Sequence, residues 1–528
     1  MNPSQPVYLR PNVACEPLFN RWYAWPYLLS PATAAMYIAN YHVKLMSSFV
    51  AAPRVHVEAL KKPGMLGGPF VDYPVERVPD IRDLLERTKR ESGDLIELAA
   101  AIKDLDALLE QADGGSLEPL YARVPDALRG RVELVYDRHN RAHFRLFEEL
   151  FYRSAFYKVS SQSIGLRLLD GDFRRFVLSS PRLAEPSLAF AEIPFSSPIL
   201  DEVAIARLAP KPLGLFIDAM RLPPSTPVEA YFTEDAPTPA RVPVEEGVRI
   251  RYFGHACLLL ESRRVSVLCD PLIPYKHPGA SVRYSFEDLP EGIDFVVLTH
   301  NHQDHVLLET LLQLRHRVKT IVVPASAGGS LIDPSLKLLL RQLGFRHVIA
   351  LESLETLEFD GGSITALPFM GEHADLDVRT KAAHLVRMEG TTTLCAADSN
   401  NIEPRLYDHL AEIVSGVDVV FLGMECQGAP MSWLYGPLFT VPIIRKHDQS
   451  RRLDGSNFAK ALDLVQRLRP KQVYVYAMGA EPWLTFVSSI QYTEESVPIV
   501  ESTKLVDECI RLGITSERLY GPREIRLR

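Results

Sequence analysis

The chain has 528 residues, of which 47% are hydrophobic and 23% are charged, and its formal net charge is −8. This composition is typical of a globular protein and excludes a disordered chain. The length exceeds what a single hydrophobic core usually organises, so we expect two domains. The negative net charge argues against nucleic acid as the main partner, because nucleic-acid-binding domains carry a basic surface.

Cysteine usage and the N-terminus bear on the compartment. The six cysteines lack CxxC spacing, so neither a disulfide framework nor a thiolate zinc site is predicted. No basic segment followed by an apolar stretch opens the chain, and the most apolar early stretch, residues 31–50, contains Asn40, His42 and Lys44. We therefore predict a cytoplasmic protein with no membrane partner.

Residues 1–245 are predicted to form a large mixed α/β domain whose sequence alone indicates no chemistry. Apolar residues at helical spacing predict helix within 80–112, and the aromatic run at 22–29 is predicted to be core. The Pro-rich segment 234–243 is predicted to be a joint, because proline lacks an amide donor and restricts φ. A second domain is then expected over residues 246–528.

Short apolar strands alternate with helical stretches in this second domain. This alternation predicts an αββα sandwich, in which two sheets pack face to face with helices outside. A helix is predicted at 456–468, and 473–476 is predicted to be the last strand. The other predicted strands are 249–253, 256–260, 265–269, 294–297, 364–369, 393–397 and 419–422.

Three histidines and an aspartate fall within six positions directly after the predicted strand at 294–297. They are His300, His302, Asp304 and His305, in the pattern HxHxDH. His300 and His302 can reach one metal ion from an extended loop, while Asp304 and His305 are expected to begin the next helix and face a second ion. A strand that delivers ligands at its C-terminal end is typical of metal sites in α/β proteins. The pattern resembles the signature of the metallo-β-lactamase fold.

Other strand ends are predicted to complete the site. Asp398 follows an apolar strand and is the candidate to bridge two ions. Glu372 and His373 follow another strand, and either of them could be the third ligand. The final histidine of a usual two-metal hydrolase is missing, because the matching strand end reads Tyr-Ala-Met-Gly at 476–479. His447 is an alternative ligand for that position.

Three further residues are candidates for supporting roles. His255, at the turn between the first two strands of the second domain, is predicted to support the ligands or to be an alternative ligand itself. Asp270 ends a strand and is predicted to orient a metal-bound imidazole, as such sites require. Glu425 follows the apolar run at 419–422 and is a second strand-end carboxylate, facing the same edge of the sheet.

The exchange of imidazoles for carboxylates has a chemical consequence. Carboxylates add negative charge and favour metals harder than zinc, including an iron pair that cycles through Fe(III). Zinc has no redox chemistry and suits hydrolysis. A ligand set of His300, His302, Asp304, His305, Glu372 and Asp398 therefore favours two iron ions, with zinc as the alternative.

The whole chain resembles the dinuclear-iron β-hydroxylases that act on carrier-bound aromatic amino acids in antibiotic biosynthesis. The resemblance rests on HxHxDH, on Glu372 in place of the usual third histidine, on Asp398 at its strand end and on Glu425 close to the cluster. It implies two iron ions, a catalytic role for Glu372 and Glu425, and an N-terminal domain that dimerises and shapes substrate access.

The resemblance also implies a reaction. The expected activity is O₂-dependent hydroxylation of the β-carbon of an amino acid, held as a thioester on a peptidyl-carrier domain of a nonribosomal peptide synthetase. The expected partners are O₂, the carrier domain, a second copy of the chain and an external electron donor, since no flavin or nicotinamide motif is visible. The alternative is a two-metal hydrolase of the lactonase or phosphodiesterase type, with His373 as a ligand.

Overall fold

The computed structural model describes residues 2–220, 222, 228–238 and 242–527. Part of the predicted joint at 234–243 lies outside the described residues, namely 239–241. Within the described part of the chain, no helix is both long and apolar enough to cross a membrane.

The N-terminal region combines helices with small antiparallel sheets, as predicted. Its strands are β1 Pro6–Leu9, β2 Val13–Phe19, β3 Trp22–Tyr23, β4 Val132–Tyr136, β5 Ala142–Leu146, β6 Gln162–Leu168, β7 Leu188–Ala191, β8 Lys211–Pro212 and β9 Phe232–Thr233. Its helices are α1 Pro26–Leu29, α2 Pro31–Tyr37, α3 Val43–Ala51, α4 Pro53–Leu60, α5 Val78–Glu91, α6 Gly93–Leu109, α7 Glu148–Tyr152, α8 Ile199–Ile205 and α9 Leu213–Ala219.

Local sequence explains the main elements of this region. The helical spacing at 80–112 forms α5 and α6, which are separated at Ser92, where φ is −116° and the helical backbone is interrupted. Each helix buries its leucine-rich face. The aromatic run at 22–29 is core, as predicted, since Trp22, Tyr23 and Tyr27 are fully buried.

The C-terminal region contains the remaining elements. Its strands are β10 Val248–Gly254, β11 Cys257–Glu261, β12 Ser266–Cys269, β13 Ile293–Val297, β14 Val318–Pro324, β15 Val348–Leu351, β16 Thr356–Phe359, β17 Gly362–Leu367, β18 Ala383–Met388, β19 Thr391–Cys395, β20 Val419–Gly423, β21 Gln472–Tyr476, β22 Thr515–Arg518 and β23 Arg523–Leu527. Its helices are α10 Leu308–Leu314, α11 Leu336–Gln342, α12 Arg405–His409, α13 Met431–Tyr435, α14 Arg445–Ser450, α15 Phe458–Leu468, α16 Thr485–Ser488 and α17 Val497–Arg511.

These strands form the predicted αββα sandwich. One seven-stranded sheet has the order β15-β14-β13-β12-β11-β10-β23, and the other has the order β16-β17-β18-β19-β20-β21-β22. Alternate side chains of the two sheets, such as Ile250 and Phe421, meet in an inner apolar layer. Helices α12, α15 and α17 cover the outer face of the second sheet. Helices α10 and α11, together with the N-terminal region, cover the outer face of the first.

The prediction that 473–476 is the last strand is wrong. Two more strands follow β21: β22 pairs with β21, and β23 returns across the sandwich to pair with β10 at the edge of the first sheet. Both are edge strands rich in charged residues, and only Ile525 and Leu527 of β23 are buried. The apolar pattern that identifies inner strands is therefore too weak to predict these two edge strands from the sequence.

A buried ion-pair network joins the N-terminal region to the helix that follows the histidine motif. Arg174 Nη1 lies 3.2 Å from Glu16 Oε1 and 2.9 Å from Glu309 Oε2, on α10. Arg182 Nε donates to Glu16 Oε2 at 2.9 Å. The hydroxyl of Tyr23 donates to Glu309 at 2.6 Å. These pairs are out of contact with water, so removal of either partner would leave a buried charge uncompensated.

Candidate metal centre

The histidine motif lies in a buried turn at the C-terminal end of β13. The prediction that Asp304 and His305 begin a helix is wrong, because residues 301–306 form turns and α10 begins at Leu308. The turn places His300 and His302 in one group of potential ligands, and Asp304 and His305 in another. His300 and His305 are fully buried, and His302 is nearly so.

A first group of potential ligands consists of His300, His302 and Glu372. His300 Nε2 lies 3.2 Å from His302 Nδ1, and His302 Nδ1 lies 3.4 Å from Glu372 Oε1. One ligand atom from each residue falls within 4.8 Å of the others, close enough to surround one metal ion. Two imidazoles and a carboxylate thus converge on one point.

Asp398 joins His300 and His305 in an overlapping group of potential ligands. Its Oδ2 is 2.9 Å from His305 Nε2 and 3.8 Å from His300 Nε2. Its Oδ1 is buried and has no hydrogen-bond partner among the residues that the structure describes. Gly423 provides the space for this carboxylate, because a Cβ there would come within 2.5 Å of Asp398 Oδ1. A buried carboxylate with one unpaired oxygen, in a space that only glycine leaves open, fits a bridge between two ions.

A second group consists of His255, Asp304 and His305. His255 Nε2 lies 3.3 Å from Asp304 Oδ2. Within the described part of the chain neither ring nitrogen of His255 has a hydrogen-bond partner, although the residue is only 3% exposed. The backbone amide of Ala477, at the strand end where a histidine is missing, donates to the carbonyl of His255 at 2.9 Å. The imidazole of His255 therefore enters the site from a turn that adjoins Ala477, the strand end without a histidine.

Hydrogen bonds from neighbouring residues orient these groups. Asp270 Oδ2 lies 2.8 Å from His305 Nδ1 and accepts a 2.6 Å hydrogen bond from the hydroxyl of Thr299. The Thr299 hydroxyl also lies 3.0 Å from His300 Nδ1. On the other side, the hydroxyl of Tyr435 lies 3.0 Å from His302 Nε2. Asp270 therefore has the position predicted for a residue that orients an imidazole.

Several turns that supply the site have left-handed backbone. Positive φ values occur at His255 (52°), Asp270 (37°), Glu372 (62°), Ala397 (46°) and Ala477 (53°). This conformation is uncommon for residues other than glycine, and residues held in it cluster at functional sites. A glycine with positive φ stands directly before two of them, Gly254 before His255 and Gly371 before Glu372.

The alternative ligands occupy different positions relative to the ligand groups. His373 is buried with both ring nitrogens unpaired, and its ring centroid lies 4.5 Å from that of His302, yet among the described residues it joins no ligand group. Its neighbour Glu372 does. His447, an alternative ligand in the sequence analysis, lies exposed on α14 and outside these groups, because α14 is a surface helix. Glu425 is likewise outside the groups but lines the same cavity.

The buried, closely spaced carboxylates of the cluster favour the binding of cations. Burial, together with Asp398 and Asp304, raises the pKa of Glu372 well above its usual value. Burial lowers the pKa of His305, but Asp398 and Asp270 outweigh it and raise the pKa above normal. Burial also raises the pKa of Glu425 to about 7. Carboxylates packed this closely away from water repel one another unless positive charge lies among them.

A cavity of about 550 Å³ opens onto the two groups. Trp433, Leu434 and Ile490 form part of its apolar wall. Residues 64–70 of the N-terminal region close one side of this cavity, a role that was not predicted from the sequence. The indole of Trp433 donates to the carbonyl of Gly67 at 2.8 Å and fixes that segment. The only sequence feature that marks this segment as irregular is its three glycines, Gly64, Gly67 and Gly68.

The fold and the paired ligand groups define a metallo-β-lactamase-fold protein with a carboxylate-rich dinuclear centre. Residues 8–236 match the family described as the diiron non-heme β-hydroxylase N-terminal domain, and residues 266–476 match the β-lactamase superfamily domain. The chain is 41% identical to the 4-amino-L-phenylalanyl-[CmlP-peptidyl-carrier-protein] 3-hydroxylase of Streptomyces venezuelae, over 98% of this chain and 99% of the relative. The chain therefore belongs to the diiron non-heme β-hydroxylase family.

Solved structures agree with this assignment. The crystal structure of CmlA, a diiron β-hydroxylase from Streptomyces venezuelae, has a TM-score of 0.93 and 41% identity, with 99% of this chain and 100% of that chain covered. By contrast, a UPF0173 protein of Pyrococcus abyssi is 27% identical over 24% of this chain and half of its own length. Membership of the family implies two iron ions, which the His, Asp and Glu groups fit.

Proposed function

We propose that this protein is an O₂-dependent diiron monooxygenase that hydroxylates the β-carbon of an amino acid held as a thioester on a peptidyl-carrier domain. One observation carries the proposal. A glutamate, Glu372, completes a buried two-histidine group in a chain 41% identical to a carrier-protein 3-hydroxylase over 98% of its length. That relative is named for the 3-hydroxylation of an amino acid bound to a peptidyl-carrier protein.

We assign the ligands from the two groups and their bridge. His300, His302 and Glu372 would hold one iron ion, and Asp304, His305 and His255 would hold the other. Asp398, whose Oδ2 lies close to His300 and His305, would help to hold both ions. Two ferrous ions bound there would supply the reducing chemistry that activates O₂ for attack on a C–H bond.

The residues around the cavity would bind and orient the substrate. The apolar wall formed by Trp433, Leu434 and Ile490 suits an aromatic side chain. Glu425 faces the cavity without belonging to a ligand group, and we assign it to the α-ammonium of the aminoacyl group, a charge-assisted hydrogen bond. Residues 64–70 would exclude water from that side, which is a substrate-access role for the N-terminal domain, residues 1–245.

The hydrolase alternative has less support. It requires His373 as a ligand, and His373 joins neither ligand group among the described residues. A relative named as a UPF0173 metal-dependent hydrolase, from Brucella ovis, is 30% identical over only 16% of the chain. An external electron donor, a homodimer formed by the N-terminal domain and a cytoplasmic location remain predictions.

Metal analysis and a turnover assay test the proposal together. Protein from iron-57-enriched cells should contain close to two irons per chain and give the Mössbauer spectrum of a coupled diferric pair. With O₂ and a chemical reductant it should add one oxygen atom to an aminoacyl-carrier substrate, and ¹⁸O₂ should label the product. Two zinc ions that persist after iron-rich growth, together with lactone or phosphodiester hydrolysis, would establish the hydrolase instead.

A further inference from the structure

An excursion of the chain between Met431 and Arg451 begins and ends at the rim of the metal cavity. The amide of Met431 donates to the carbonyl of Arg451 at 3.0 Å, and the amide of Leu453 donates to the carbonyl of Ala429 at 2.9 Å. These bonds close the base of the excursion. Residues on both sides of the base, including Trp433 and Arg452, line the cavity.

The outer part of this excursion is both apolar and cationic. Val441 is 61% exposed and Ile444 is 63% exposed, on a surface where such residues usually occur singly. Residues 441–452 contain four Arg or Lys side chains and one acid, in a chain whose net charge is −8. That acid, Asp448, already accepts hydrogen bonds from the amide and the hydroxyl of Ser432, at 2.7 and 2.8 Å.

The N-terminal region holds this surface in place and adds to its charge. The hydroxyl of Tyr37 donates to the carbonyl of Leu434, and the side-chain amide of Asn40 donates to the carbonyl of Pro437 at 2.7 Å. The hydroxyl of Thr440 donates to Asp106 at 2.6 Å. Lys44 and Lys103 line the adjoining groove of about 520 Å³ together with Val441 and Arg445. The surface is therefore supported from both regions of the chain.

We propose that Val441, Ile444, Arg445 and Lys446, with Lys44 and Lys103 beside them, form the docking patch for an acidic face of the peptidyl-carrier domain. This proposal rests on the proposed function. A tethered substrate requires its carrier to bind near the cavity, and the excursion that bears the docking patch begins and ends beside residues that line this cavity. Its exposed apolar residues would be the anchors, and its positive charge selects an acidic partner and speeds the encounter.

The test compares a carrier-bound substrate with a small thioester that needs no docking. The probes are the 4-amino-L-phenylalanyl-loaded CmlP carrier domain and the pantetheine thioester of the same amino acid. The variants are Arg445→Glu with Lys446→Glu, and Val441→Ser with Ile444→Ser. Arg341→Glu with Arg346→Glu, two exposed cations outside the residues that line the cavity, is the matched charge control.

Each docking variant should raise KM for the carrier substrate about 10-fold, and salt should reproduce the charge effect in the unaltered protein. Turnover of the pantetheine thioester should stay unchanged in both variants, and the control should match the unaltered protein. An unchanged KM for the carrier substrate would overturn the docking patch while leaving the proposed function intact.

Two other outcomes also overturn the docking patch. A parallel loss of pantetheine-thioester turnover would show that the segment acts within the site. Dissociation of a dimer by Val441→Ser with Ile444→Ser, without a change in KM, would show a contact between copies. Failure of the unaltered, iron-loaded protein on both substrates would instead refute the proposed function, and the docking patch with it.

Discussion

The two halves that we propose for the metal centre would receive their ligands in different ways, although one motif serves both. In the first half, His300 and His302 come from the motif, and Glu372 comes from the turn after β17. In the second half, Asp304 and His305 come from the motif, and His255 comes from the turn between β10 and β11. The last ligand of each half thus belongs to a left-handed turn at a strand end.

This difference shows how such a scaffold can change its metal chemistry. A ligand in a turn can be exchanged or taken from another turn without disturbing the strands that form the sandwich. In the first half we propose a carboxylate, Glu372, as the last ligand. In the second half we propose His255, whose turn adjoins Ala477 at the strand end where the sequence lacks a histidine. Asp398, which we propose as the bridge, would belong to both halves.

The largest effect is expected at this shared residue. Asp398→Ala should remove both irons and lower hydroxylation at least about 100-fold, because each ion loses a direct ligand. Iron per chain, measured by mass spectrometry alongside turnover, checks this outcome. Asp454→Asn is the matched control, because Asp454 is a neighbouring carboxylate outside the ligand groups whose Oδ1 accepts from the amide of Gly428 at 2.8 Å. Retention of two irons by Asp398→Ala would contradict the bridge.

Substitutions at two adjacent residues separate the first half from the second. Glu372→Ala should leave close to one iron per chain, and activity should fall about 100-fold, since the first half loses its carboxylate. His373→Ala should keep two irons, because His373 lies beside the cluster without joining a ligand group among the described residues. Mössbauer spectra should show loss of the coupled pair only in Glu372→Ala. The reverse pattern would make His373 the ligand and favour hydrolysis.

The contrast between the halves also explains what the sequence could predict. The motif, the αββα sandwich and the strand-end carboxylates Asp398 and Glu372 were predicted, because apolar strands and dense ligand runs are local patterns. The proposed choice of Glu372 over His373 depends on the exact course of a left-handed turn, which Gly371 marks in the sequence without fixing which of the two side chains faces the cluster. His255 could be identified only as an alternative ligand, since the contact between its turn and Ala477 joins residues more than 200 positions apart.

The N-terminal region was the least predictable part. Its sheets are short and antiparallel, and its strands pair over long sequence separations, as when β2 pairs with β6. Its contribution to the cavity, residues 64–70, is an irregular segment whose position depends on contacts with Trp433 and Ser489. Periodicity carries no information about such contacts.

A substitution at His255 tests the second half by itself. His255→Ala should weaken binding of one iron about 10- to 100-fold, because that ion keeps Asp304, His305 and the bridge but loses an imidazole. When a chelator removes iron from His255→Ala, one ion should leave faster than in the unaltered protein and the other at an unchanged rate. His447→Ala is the control, and it should behave like the unaltered protein, since His447 is exposed on α14. Equal release from both variants would remove His255 from the ligand set.

The smallest effects are expected from the residues that orient ligands without forming part of the ligand groups. Asp270→Asn should weaken iron binding in the second half about 10-fold, since an amide matches the NH of His305 Nδ1 less well than a carboxylate does. Tyr435→Phe should affect only the first half, through His302 Nε2, and by a few-fold at most, because one neutral hydrogen bond is lost. Chelator-driven release rates measure both effects, and thermal unfolding of the metal-free proteins separates them from loss of stability. If both substitutions accelerated release of the same ion, Asp270 and Tyr435 would support the same half. That result would contradict the assignment of each residue to a different half of the metal centre.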